Sequence, residues 1–423
     1  MSVWLNNNME IKSILKRNKL LLENFSYLSI LQLFSLLFPL ITYPYLLRLF
    51  GLELYGVIVF AQAIVMNISL LINYGFNLSG THIIASSRED KTTINETVSS
   101  IYIIKASIWF LCLIVYSVVV LYVDYFAKYR LLYLTTYFLT VNEVLLPVWY
   151  FQGIEKMKYM TFINLGVRCI FVILIFIIVK RPDQYYYVPL LNSVGAVLGG
   201  MAALIIVFRF HRVSFKLPKY SILKKYFNNS TPFFISSLSI NVYAYLGKLV
   251  VGSFLGMKEI SIYDMAEKIT SLMKIPGGLA VQASFPRICK VKSIRFVNQI
   301  MGCTVIGVVV LYIILLIFTN KLVFILSGES IPIAVTVIRI LALTSICASI
   351  NGFFGSNRLV IWGYKNIYMR VAVSGCFIYL AILLCLYLSH QISIYSIAFL
   401  PLFTEIVIAL TYFILARKYH LLQ

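Results

Sequence analysis

The sequence predicts an all-α polytopic membrane protein of about twelve transmembrane helices in two six-helix bundles. Three observations predict it. Of 423 residues, 61% are hydrophobic and 12% charged, with a mean hydropathy of +0.90, whereas soluble domains carry about 25% charge. Apolar runs of about 18–25 residues recur along the whole chain, the length that crosses a hydrocarbon core as a helix. The longest polar connection, residues 209–229, falls at the middle of the chain.

The elements follow in order. Residues 1–24 carry Lys12, Lys16, Arg17 and Lys19 before a span-length apolar run, so they read as a cytoplasmic flank and not as a cleavable signal. Spans are expected at 25–47, 54–76, 98–123, 131–151, 159–179 and 188–208, forming an N-terminal bundle over 25–208. Residues 209–229 are a cytoplasmic linker. Spans at 230–254, 261–285, 300–319, 331–351, 367–389 and 393–415 form a C-terminal bundle over 230–415, and 416–423 is a cytoplasmic tail.

Charge placement orients these spans. Of 36 Lys and Arg, 22 fall on the side that holds both termini and seven on the other. That bias is the positive-inside signature and places both termini in the cytoplasm. The net charge of +21 is thereby explained by topology and anionic headgroups, and no nucleic acid is expected. The seven cysteines include no CxxC pair and the four histidines are scattered, so no metal site is expected. Aromatic clusters such as Tyr185–Tyr186–Tyr187 fit an interfacial belt. No nucleotide fingerprint, HExxH or GxSxG is present, and no cofactor is expected beyond a coupling proton or sodium ion.

An internal repeat supports the two-bundle division. FGLELYGVIVFAQAI (Phe50 to Ile64) aligns without gaps on LGMKEISIYDMAEKI (Leu255 to Ile269), pairing Gly51 with Gly256 and Ala61 with Ala266. Both lie at the turn between the first and second span of a half. Six spans per half give both copies the same topology, hence a parallel repeat.

Charges within the spans are the candidate functional residues. Asp264, Glu267, Lys268, Ser271 and Lys274 share an arc of roughly 120° on one helix face, and Asp264 and Lys268 are spaced to neutralise each other partly. Other spans add Lys105, Arg168, Lys248 and Arg339, with Arg370 near an end, and the acids Glu143 and Glu405. A charge at mid-bilayer costs at least about 2.5–3.5 kcal/mol, so it faces a cavity or a partner. Lys105, Arg168, Lys248, Lys268, Lys274 and Arg339 outnumber Glu143, Asp264, Glu267 and Glu405, so a lumen lined by them attracts an anion. Snorkelling is the competing account for Lys105, Lys274 and Arg370, and ion pairing across helices for Lys248, Lys268 and Arg339. Arg168, near mid-span, is out of reach of an interface. Glu143 and Glu405 are each either a coupling site or a partner of a cation. Alanine at Arg168 or Lys268 is expected to abolish transport without lowering abundance. Helix interruptions are expected at Pro39, Pro44, Pro147, Pro232, Pro276 and Pro401, with a break at Pro276–Gly277–Gly278.

Three segments carry a family resemblance: TYPYLLRLFGLELYGVIVFAQAI (Thr42 to Ile64), LLPVWYFQGIEKMKY (Leu145 to Tyr159) and YDMAEKITSLMKIPGGLAVQASFPR (Tyr263 to Arg287). They resemble the polysaccharide transporter family, specifically Wzx-type O-antigen flippases of the MOP flippase superfamily, over essentially the whole chain. The resemblance implies two six-helix bundles in a MATE-like V around a central cavity. It implies an undecaprenyl-pyrophosphate-linked oligosaccharide substrate moved across the bacterial inner membrane to the periplasmic leaflet by ion-gradient-coupled alternating access, without ATP. It names an O-antigen polymerase and a chain-length regulator as candidate partners. No universal functional residue carries over, so the site assignments rest on the charge argument, with Lys268 facing the anionic head and Asp264 and Glu267 holding it. Asn241, Tyr243 and Tyr245 near Lys248 are candidates for sugar contacts.

Competing readings are a capsule or teichoic-type polysaccharide exporter, a small-molecule exporter of the same superfamily, and an uncoupled scramblase. Exporters of cationic drugs call for an acidic lumen, and the surplus here is basic. A membrane glycosyltransferase or polymerase calls for a large periplasmic loop, and the longest one expected here is about ten residues. An enzyme is therefore not expected.

Overall fold

The computed structural model describes residues 19–421. The expected N-terminal segment and tail are thus covered only from residue 19 and to residue 421, and the side chains of Asn241 and Tyr243 lie outside the described residues. Among the described residues there are fourteen α-helices and no strand. They are α1 Lys19–Asn73, α2 Phe76–Ser86, α3 Lys91–Tyr122, α4 Arg130–Tyr137, α5 Val141–Leu145, α6 Val148–Gly153, α7 Met157–Ile178, α8 Tyr187–Ile205, α9 Tyr220–Phe254, α10 Met257–Val291, α11 Ile294–Ser327, α12 Pro332–Phe354, α13 Lys365–Leu388 and α14 Ile394–Lys418. Nine helical stretches among the described residues are long and apolar enough to cross a membrane. One of them, Leu33–Ser86, carries the first two expected spans. The seventh and eighth expected spans fall within α9 and α10. The nine stretches also show which surfaces meet lipid: Phe110 and Leu111 of α3 and Ile306 and Ile317 of α11 are 59–68% exposed, an arrangement that water would penalise. The protein is a multi-pass membrane protein.

Packing divides the chain into two units, residues 1–42 with 68–235, and residues 43–67 with 236–423. In the first, α2 packs on α3 and α6, and α8 on α5 and α7. Its core gathers Phe76, Ile84, Val98, Ile101, Trp149, Phe151, Ala203 and Val207. In the second, α12 is central, packed by α10, α11 and α14. Its buried face includes Ala334, Ala342 and Ser345, small side chains that allow close helix approach, beside Val337, Ile338 and Leu341.

Residues 43–67 lie in the second unit, where the first repeat segment meets the second. The bend of α1 is at Gly51, with φ 70° and ψ 171°, and the turn before α10 is at its repeat partner Gly256, with φ 126° and ψ 177°. That region of backbone space is open essentially to glycine alone. Ser261 Oγ donates to the Leu52 carbonyl, and a Cβ on Gly56 would lie 1.7 Å from the Met257 carbonyl oxygen. The repeat offset turns Leu52 into Met257 and Gly56 into Ser261, so these two contacts are exchanged by the repeat, as in an isologous interface.

The prolines behave differently from the expectation. Only Pro147 sits at a helix break, between α5 and α6. Pro39 and Pro44 lie within α1, Pro232 within α9, Pro276 within α10 and Pro401 within α14, all continuous there. At Pro276–Gly277–Gly278 the expected break is absent because Gly277 has another role. A Cβ there would lie 2.0 Å from Ser349 Oγ, so the glycine admits α12 against α10.

Candidate functional site

Asp264, Glu267 and Lys268 of α10 form a closed cluster with Lys248 of α9 in the second unit. The α9–α10 turn at Gly256 is antiparallel, and Lys248 and Asp264 are each eight residues from it, about 12 Å along their helices. They therefore sit level. Lys248 Nζ is 2.8 Å from Asp264 Oδ1 and 2.8 Å from Glu267 Oε2. Lys268 Nζ pairs with Asp264 Oδ2, donates to Tyr55 Oη at 3.0 Å and lies 4.5 Å from the centre of the Tyr43 ring. Asp264 and Glu267, one turn apart, present both carboxylates to Lys248. The four side chains are 5–25% exposed. Two acids and two bases balance. Lys268 thus faces Asp264, Tyr43 and Tyr55, and the expected neutralisation of Asp264 by Lys268 is present.

Lys105, in the first unit, is buried for a different reason. In a continuous helix the amide of residue 147 would donate to the carbonyl of residue 143. Pro147 has no such donor, and Lys105 Nζ donates to that Glu143 carbonyl instead, at 3.0 Å. The Glu143 carboxylate accepts from Asn73 Nδ2 at 2.9 Å. Lys105 and Glu143 are thus held at the break between α5 and α6.

Arg339 and Glu405 also have internal partners. Arg339 Nη2 donates to the Leu316 carbonyl at 3.2 Å, which ties α12 to α11. The Glu405 carboxylate accepts from Asn351 Nδ2 at 2.6 Å, which ties α14 to α12.

Two cations remain. Lys274 is half-buried and has no ion pair or hydrogen bond among the described residues. Arg168 is exposed on α7, and its one hydrogen bond reaches the Ser35 carbonyl at 3.5 Å, the edge of hydrogen-bonding distance.

The segment WYFQGIEKMKY builds a rigid elbow in the first unit. Trp149 and Phe151 are buried in the core, and Glu155 takes a left-handed φ of 57°. Arg88 clasps the turn, its Nε 2.9 Å from the Gly153 carbonyl and its Nη2 2.6 Å from Glu155 Oε1. The guanidinium holds the Glu155 carboxyl below its ordinary range. Tyr150 Oη lies 3.1 Å from His211 Nδ1. Burial and nearby Lys156 push the imidazole of His211 below its ordinary range, so it is disposed to stay neutral.

Sequence reasoning missed several participants. Tyr43, Tyr55, Asn73 and Asn351 carry no charge and gave no signal. Arg358 falls between the expected spans 331–351 and 367–389, yet a π-helical turn over Gly355–Val360 prolongs α12 and buries it to 1% exposure. Its neighbour Asn357 is fully buried as well, and that polar pair beside an apolar run was the available hint.

Comparison with known proteins places this arrangement. A model of the family described as "Polysaccharide biosynthesis protein" matches residues 21–292. A Shigella dysenteriae protein named "Putative O-antigen transporter" is 27% identical over 392 residues, covering 88% of this chain and 94% of its own. An Escherichia coli K12 protein of the same name is 25% identical over 365 residues, 85% and 88% of the two chains. Among solved structures, the lipid II flippase MurJ in an inward closed conformation aligns with a TM-score of 0.71 at 14% identity, over 92% of this chain and 87% of its own. An inward-facing multidrug resistance MATE family transporter of the MOP superfamily aligns with a TM-score of 0.66 at 11% identity, over 92% and 98%. These likenesses establish the fold, that of MATE- and MurJ-type membrane transporters. The chain belongs to the polysaccharide biosynthesis protein family.

Proposed function

We propose, with that membership as premise, that the protein is a flippase for undecaprenyl-pyrophosphate-linked oligosaccharide repeat units, the O-antigen units. It moves them from the cytoplasmic to the periplasmic leaflet of the bacterial inner membrane, with both termini in the cytoplasm. It makes and breaks no covalent bond, so it is a transporter and not an enzyme. The observation that carries this reading is the sorting of the intramembrane cations. Lys105, Lys248, Lys268 and Arg339 are committed to internal acceptors, while Arg168 and Lys274 keep donors for a ligand. Cations at membrane depth with no ion pair within bonding distance among the described residues suit a pyrophosphate, whose lipid tail stays in the bilayer. The names of the two O-antigen relatives support the sugar-lipid class.

Transport is coupled to a proton or sodium gradient, with Glu267 the first candidate because Lys248 is its one ion-pair partner among the described residues and is shared with Asp264. Tyr245, half-buried and one turn before Lys248, contributes to sugar contacts. An O-antigen polymerase and a chain-length regulator are the proposed downstream partners. Export of cationic drugs is the second reading, favoured by the MATE likeness in fold and opposed by the sign of the unpaired charges.

Deletion of the gene in its host, with surface polysaccharide and drug sensitivity scored together, tests the assignment. Loss of long-chain polysaccharide with accumulation of lipid-linked repeat units and unchanged drug tolerance is the expected result. Intact polysaccharide with raised drug sensitivity would move the protein to the exporter class.

A further inference from the structure

The second unit contains a cation that the transport reading does not use. Arg358 is 1% exposed. Its Nη2 donates to Asn298 Oδ1 and its guanidinium carbon lies 4.3 Å from the centre of the Phe354 ring. Among the described residues its Nε and Nη1 have no hydrogen-bond partner and no ion pair includes it. An arginine cannot shed its proton, so a buried one needs an anion. Asn357 fixes its position, donating to Ser284 Oγ at 2.9 Å and the Val281 carbonyl at 3.1 Å, which pins the π-helical turn to α10.

Arg358 reaches α11 near its start, one turn past the first residues. Asn298, its acceptor, lies in the second turn of that helix. Ser293 caps the helix through the Phe296 amide, which leaves the first amides, those of Ile294 and Arg295, without intrahelical acceptors. A helix N-terminus ordinarily takes an acid, because its amides and dipole are positive. Here the first turn contains no acid and instead carries Arg295, with Arg287 stacked 4.8 Å from the centre of the Phe296 ring. Positive charge is thus concentrated where the backbone is already positive.

We propose that Arg358 and the N-terminus of α11 form a phosphate-binding site for the headgroup of an anionic membrane lipid. Arginine and helix N-termini are the two protein groups best matched to phosphate. The rim favours a lipid over a free ion. Arg287, Lys292 and Arg295 are exposed beside exposed Val291, and half-buried Trp362 is packed at the same end. Basic and aromatic side chains of this kind gather at headgroup height. This site is independent of the transport reading, and either stands without the other.

Thermal melting of the purified full-length protein in detergent tests the site, with phosphatidylglycerol, phosphatidylcholine or inorganic phosphate added. Phosphatidylglycerol is expected to raise Tm by several degrees, with no shift from the other two. R358Q is expected to remove that shift. Should R358Q fail to fold, N298D provides the control: its carboxylate beside Nη2 supplies the missing counter-charge, so basal Tm rises while the lipid shift disappears. A shift of equal size in wild type, R358Q and N298D, or one given equally by phosphatidylcholine, overturns the site. A shift from inorganic phosphate alone overturns the lipid and leaves a soluble anion as ligand.

Discussion

The two units bury their lysines in contrasting ways. In the second, Lys248 and Lys268 face two carboxylates and form a neutral cluster under Tyr43 and Tyr55. In the first, Lys105 faces a backbone carbonyl that Pro147 left without its donor. One lysine set balances charge, and the other mends a helix. Position within a span therefore does not make a cation a substrate ligand. Its nearest acceptor is the better guide, and on that basis Arg168 and Lys274 are the candidates we propose for the substrate.

The largest effect should come from these two. Arg168→Ala and Lys274→Ala are each expected to reduce transport roughly 10–100-fold, the loss of one or two hydrogen bonds to a charged group, with abundance unchanged. Complementation of surface polysaccharide, alongside immunoblots of membranes, reads both quantities. Full transport by both variants would erase the distinction between committed and free cations.

Next is the neutral cluster. Lys248→Met leaves Asp264 and Glu267 short of charge and should cost about 3–5 kcal/mol, as for other broken buried pairs. Membrane abundance and melting temperature should both fall, and adding Glu267→Gln should recover part of the loss. Lys268→Ala belongs to the same class, so its transport defect should follow its abundance. A Lys268→Ala protein that is abundant yet inactive would return Lys268 to the substrate.

The helix repair gives a smaller and more specific effect. Lys105→Met leaves the Glu143 carbonyl without a donor and should cost about 1–3 kcal/mol. Pro147→Ala restores an amide at the right place, so the double variant should melt above Lys105→Met alone. Additive losses would exclude the repair role.

The smallest effect is at His211, where the folded protein favours the neutral imidazole. Its folded pKa is lowered from 6.5, so the unfolded chain binds the extra proton first and stability rises with pH. The contribution of His211 is present above that value and is lost as pH falls below it. Melting curves at pH 7.5 and 5.5 should differ less in His211→Asn than in wild type.

Much of this was legible in sequence. Span-length apolar runs located the helices because a bilayer has one thickness and leaves backbone groups no solvent. The pairing of Gly51 with Gly256 anticipated two turns that share a glycine-only conformation. The i,i+4 spacing anticipated the pair of Asp264 with Lys268. The prolines were misleading, since a proline marks a lost donor and not whether neighbours hold the helix straight. Pro276 lies in an unbroken helix, while Pro147 accompanies a break that required Lys105 from another helix.

The sequence by itself determined the class of protein, its helices and which residues carry charge in the membrane, because these follow from local composition and period. Tertiary structure alone decided which of those charges are already satisfied. An acceptor can come from a helix distant in sequence, as Tyr55 does for Lys268, and no local pattern encodes that meeting. Arg358 shows the same limit in reverse: its polar sequence neighbourhood suggests solvent, and the packing of α10, α11 and the π-helical turn buries it.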